Sequence, residues 1–198
     1  MLLYHISLIG LLLLSCIVQQ FLPPLGAYDA RFLLIPLVVA CGAVTAPTGS
    51  MLLLAFLGGF LWDAQQIIHP PLPTEKNLHV FNTIYHTPTE TMKFGYTIIL
   101  YALMGFLMQG IQPIFKQGKW YLSGILTGVA IFLYLLIEFL LFSFIRGGFE
   151  FSMPVMKQIS LTALLSMLIS PIIFWTLFQI ADLCKHEISY DSLRRRSY

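Results

Sequence analysis

Two carboxylates, Asp63 and Glu138, stand inside long apolar runs of this chain. Acids so placed have a short list of uses. As a pair at fixed separation they can serve as general acid and base. As titrating groups they can relay a proton or hold an ion. As hydrogen-bond acceptors they can fix the packing of neighbouring helices or line a pocket for a partner or ligand. A carboxylate within a membrane span is expensive, so it faces the protein interior or a water-filled cavity. The hydroxyls of Tyr96, Thr97 and Tyr101 open a later apolar run and add donors. His69, His79 and His86, with Glu75 and Glu90, offer metal-binding types. Their spacings of ten and seven match no common ligand pattern, which predicts an exposed loop and no metal. No nucleophile, base or metal motif accompanies the acids. The expectation is a chain without catalytic residues and without a cofactor.

The elements that must carry these residues follow from composition. Of 198 residues, 58% are hydrophobic and 10% charged, and the mean hydropathy is +0.81. Soluble chains carry roughly 25% charged residues. The deficit, with repeated apolar stretches close to the ~20 residues of a membrane-crossing helix, predicts an all-α polytopic membrane protein. A membrane β-barrel would instead alternate in segments of about 10 residues. The net charge of +2 is too small to suggest nucleic acid.

Six runs are expected to cross. The first, Leu2 to Leu22, ends at Pro23-Pro24-Leu25-Gly26. It lacks a basic start and a small-x-small cleavage site, so it reads as a permanent helix rather than a signal peptide. The second, Phe32 to Ala46, is short and carries Pro36, which predicts a kinked helix repaired by its neighbours. Pro47-Thr48-Gly49-Ser50 predicts a tight turn before the third run, Met51 to Ile68. The fourth covers Phe94 to Ile114, the fifth Trp120 to Ile145 and the sixth Lys157 to Ala181, with Pro154 in the preceding loop. The domain expectation is a six-helix unit over 1–182, with a long loop at 70–93 between the third and fourth helices. Residues 183–198 form a basic tail.

Charge suggests the orientation. With both ends in the cytoplasm, the inner segments hold Lys116, Lys119, Lys185 and Arg194 to Arg196. The outer ones hold Arg31, Lys76, Lys93, Arg146 and Lys157, so six basic residues stand against five. At 1.5 Å per residue, Asp63 lies roughly 18 Å along the third helix and Glu138 roughly 27 Å along the fifth. Those helices run in one direction and the fourth runs back. Asp63, Glu138, Tyr96, Thr97 and Tyr101 therefore share one half of the membrane, the outer half if the ends are cytoplasmic. Helix packing, a pocket, and transport or catalysis all remain open for them.

Other residues read structurally. Cys16, Cys41 and Cys184 lie in or beside apolar runs without metal spacing. Gly124 and Gly128 form a GxxxG pair that permits close backbone approach, read as packing within the bundle. Gly58, Gly59 and Gly105 are expected to serve helix packing as well. Gln19 and Gln20 can hydrogen-bond across helices or sit at the interface.

The order of these features resembles the rod shape-determining MreD family of bacteria. The residues that carry the resemblance are Gln19-Gln20 before a Pro-Leu turn, Arg31-Phe-Leu-Leu, and the Gly58–Asp63 segment GGFLWD. Phe94-Gly95-Tyr96-Thr97 follows with Tyr101, Gly105 and Phe106, and then Tyr134 with Glu138. The resemblance implies a non-enzymatic inner-membrane scaffold of the cell-wall elongation machinery, with six spans and cytoplasmic ends. It implies binding to an MreC-like bitopic membrane protein, and through it indirectly to other elongation proteins. Two departures stand out: the family joins its third and fourth helices by a short glycine-rich loop, and Arg31-Phe32 stands where Arg-Pro-Asp is common. Substrate-binding S-components of energy-coupling factor vitamin transporters share the six-helix architecture and would use the polar cluster to hold a vitamin. The Leu-rich first helix lacks the Ala-x-x-x-Ala surface such a protein would use to meet its transport subunit.

Overall fold

The computed structural model describes residues 2–23, 30–68, 95–112, 120–146 and 153–184. Among them the chain is all-helical, with six α-helices: α1 (Leu2–Phe21), α2 (Leu34–Thr45), α3 (Thr48–Ile68), α4 (Tyr96–Gly110), α5 (Trp120–Arg146) and α6 (Met153–Leu183). The expected 70–93 loop, with His69, His79, His86, Glu75 and Glu90, lies outside the described residues, as does the 185–198 part of the tail.

Three helices, α1, α5 and α6, are long and apolar enough to cross a membrane. The third has the length, 21 residues, but its last turns carry Asp63 and Gln65 and dilute its apolar run. The other two are shorter than the sequence suggests, α2 at 12 residues and α4 at 15. At 1.5 Å per residue they reach only about 18 and 22 Å.

Prolines account for several boundary differences. Pro36 falls in the first turn of α2, where no amide has a helical acceptor, so it starts the helix instead of kinking it. Pro154 likewise belongs to the first turn of α6, which begins at Met153 rather than Lys157. The predicted turn at 47–50 shrinks to Ala46–Pro47. The amide of Met51 reaches back to the Pro47 carbonyl at 3.0 Å, and Thr48 is already helical.

Pro171 is the proline that stands mid-helix, in α6. Lacking an amide, it leaves the Met167 carbonyl without its helical donor. The Ser170 hydroxyl donates to that carbonyl at 3.3 Å, and the helix continues.

The centre of the bundle is α2. Every residue from Ile35 to Thr45 is buried, and the helix packs against each of the other five. Its small residues let neighbours come close: a Cβ on Gly42 would stand 2.6 Å from Leu54 Cδ2 of α3. Around it the tightest pairings are α3 with α4 and α5 with α6. The outward faces of α1 and α6 stay apolar, with Leu3, Ile6, Leu13, Leu14, Ile17, Leu164, Leu168 and Ile172 exposed.

Candidate functional site

Helix ends raise the first question of chemistry in so apolar a bundle. The first four amides and last four carbonyls of a helix lack intrahelical partners. A buried end without partners is costly. In this chain the partners come from side chains on other helices.

Asp63 is one of them. It sits near the C-terminal end of α3, half-buried, and its Oδ2 accepts the Gly95 amide at 2.8 Å. Gly95 is the N-cap of α4 and has φ 102°, a left-handed conformation that any side chain would strain. Asp63 therefore caps α4 across the α3–α4 interface, and its negative charge lies at the positive end of the α4 dipole.

Glutamines do the same for α2. Leu33, the N-cap position, contributes no side-chain bond, and Gln19 of α1 accepts the Ile35 amide at 3.0 Å instead. At the other end Gln112 donates to the Val44 carbonyl at 2.7 Å and Gln109 to the Ala46 carbonyl at 3.3 Å. The Tyr4 hydroxyl donates to Thr45 Oγ1 at 2.7 Å, and Thr45 donates on to the Gly42 carbonyl at 3.2 Å. Gln65 of α3 ties to α1, donating to Cys16 Sγ at 2.8 Å and to its carbonyl at 3.3 Å.

The second polar feature is a cluster at the α3–α4–α5 junction. Glu138 is half-buried with the Tyr134 hydroxyl beside its carboxyl, and Asp63 is close enough for the two acids to repel. Tyr101 is fully buried and lies within electrostatic reach of both acids. Its ring meets that of Tyr134 edge-on, with centroids 5.4 Å apart. Tyr96 opens α4 within reach of Glu138. The Tyr96 and Tyr101 hydroxyls are both buried without a hydrogen-bond partner. Thr97 is buried one residue further on.

The structure thus brings Asp63, Glu138, Tyr96 and Tyr101 to one place, a lateral meeting that depth along separate helices does not supply. Tyr134 joins them. In the sequence its signal is its place one turn before Glu138. Residue types alone do not mark the Tyr4–Thr45 pair, Gln65, Gln109 or Gln112. The available signal was an amide side chain in an apolar run, which needs a partner.

The glycines occupy helix contacts. A Cβ on Gly59 would meet the Ile98 backbone at 2.6 Å, and one on Gly58 would meet Val39 Cγ2 at 2.8 Å and the Tyr101 ring at 3.3 Å. On α4, Gly105 faces Met51, whose sulfur would lie 2.5 Å from an added Cβ. On α5, Gly124 and Gly128 face α6 at Ser170 and Met167. That GxxxG surface is engaged inside the bundle.

The cysteines Cys16, Cys41 and Cys184 are free thiols. Among the described residues no group of three or more His, Cys, Asp or Glu could hold a metal ion. Comparisons of the chain with family models, with curated proteins and with solved structures found no match.

Proposed function

We propose that the chain is a non-enzymatic scaffold of a bacterial inner membrane. In this reading it holds an MreC-like bitopic protein and, through it, the machinery that elongates the cell wall and maintains cell shape. All six helices cross the bilayer, with both ends in the cytoplasm. The short α2 does so enclosed by protein, where backbone outside a helix is tolerated.

The observation that carries the proposal is the use made of the residues behind the MreD resemblance. The Gly58–Asp63 segment, Gly95, Tyr96, Tyr101 and Gly105 all lie along the α3–α4 interface, and Tyr134 with Glu138 meets them from α5. They act there by capping, close approach and ring packing. Those are the tasks of a rigid platform. Catalysis would ask for a nucleophile with a base in hydrogen-bond reach of it.

Depletion in a rod-shaped bacterium that carries the chain tests the proposal. Cells should widen and round up while membrane integrity persists. Rods of unchanged width after full depletion would overturn it.

A further inference from the structure

Tyr101 poses a problem that capping does not solve. Its hydroxyl is wholly buried and makes no hydrogen bond of good geometry, with the Tyr134 side chain beside it and two acids as neighbours. A buried hydroxyl normally has a partner. The Tyr96 hydroxyl, beside Glu138, is buried and unpartnered too.

Asp63 already has the Gly95 amide. Glu138 has the Tyr134 hydroxyl near it, and a second acid as its neighbouring charge. Two carboxylates in low-dielectric surroundings repel, and each is costly without a compensating positive charge. The cluster therefore combines two neighbouring carboxyl groups with phenol oxygens whose lone pairs are free to accept. Two of its rings, Tyr101 and Tyr134, are set edge to face. Asp63, Glu138 and Tyr96 are half-buried while Tyr101 is fully so.

We propose that this cluster is a binding site for an organic cation, an ammonium or guanidinium group. Such a group carries several N–H donors, enough for Glu138 and the two phenol oxygens together. The rings add cation–π attraction. A divalent metal fits poorly, since Ca²⁺ asks for 6–8 oxygen ligands and Mg²⁺ for near-ideal octahedral geometry. Guanidinium is also weakly hydrated, which lowers the cost of entering an apolar bundle. The cation can be a free small molecule or a basic side chain of a partner helix. The site follows from the cluster alone and stands whether or not the scaffold reading holds.

The test uses the full-length protein in mild detergent, with ethylammonium chloride and methylguanidinium chloride as probes and sodium and potassium chloride as matched-ionic-strength controls. Thermal unfolding and tyrosine fluorescence are the readouts. The organic cations should raise the midpoint in a saturable way that the inorganic salts do not reproduce. Glu138→Gln and Tyr101→Phe should each abolish that rise while remaining folded, and Phe56→Leu, on an exposed face of α3, should keep it. Loss of the saturable effect in wild type overturns the proposal, and so does an equal effect of sodium or potassium. A Glu138→Gln protein more stable than wild type that still responds to the organic cations would also overturn it. If the effect is present, repeating it with a peptide amide of lysine separates a partner side chain from a free amine by which binds more tightly.

Discussion

Asp63 shows how a side chain whose type suggests chemistry can also hold an architectural contact. Its carboxylate closes the first amide of α4 across a helix interface. Asp63→Asn keeps an acceptor but loses the charge at the helix N-terminus, an effect of about 0.3–1 kcal/mol. Asp63→Leu also strands the Gly95 amide, so a further ~1–3 kcal/mol is expected. The order wild type, Asn, Leu should appear in thermal unfolding in detergent. Gly95 has open space around it, yet Gly95→Ala should destabilise by about 1–3 kcal/mol because of its positive φ. Equal stability of wild type and Gly95→Ala would mean that this cap does not form. The sequence marked Asp63 as important because an acid in an apolar run needs a reason. It did not reveal the partner, because a backbone amide 32 positions away leaves no trace in residue type.

Between helices, what decides the packing is where side chains are missing. At Gly59 the obstacle to a Cβ is the backbone of Ile98 at 2.6–2.7 Å, and backbone cannot swing aside. Gly59→Ala should therefore push α3 from α4 at a cost of about 1–3 kcal/mol or more. Gly10 on α1 is exposed with nothing within 4 Å. There the same change should stabilise by about 0.5–1 kcal/mol through helix propensity. Paired melting curves for the two variants check this, and similar shifts at both positions would refute it. Gln19→Leu removes the acceptor of the Ile35 amide and should lower stability, while Gln19→Glu should restore most of it. Helix existence was legible from the apolar runs, because continuous hydrophobicity near 20 residues has few other meanings. The starts at Leu2 and Trp120 were legible too, but those beside prolines were not. Pro36 read as a kink and Pro47 and Pro154 as parts of loops, yet in the first turn, or just before it, a missing amide costs nothing.

At the scale of the whole molecule, the arrangement is a short apolar helix enclosed by five others, with both its ends satisfied by side chains from α1 and α4. That design was hidden in the sequence. Nothing in the residues 34–45 distinguishes a helix buried in protein from one facing lipid, since lipid is as apolar as leucine. The same indifference applies to the exposed faces of α1 and α6. The gathering of Glu138, Asp63, Tyr96 and Tyr101 was half legible: counting along the helices gave a shared depth, and only the fold supplied the lateral meeting. The central claim is association, and co-purification in mild detergent measures it most directly. Tagged protein drawn from native membranes should retain an MreC-like bitopic protein through extensive washing and size-exclusion chromatography. Recovery of the folded bundle with no such protein attached would contradict the account.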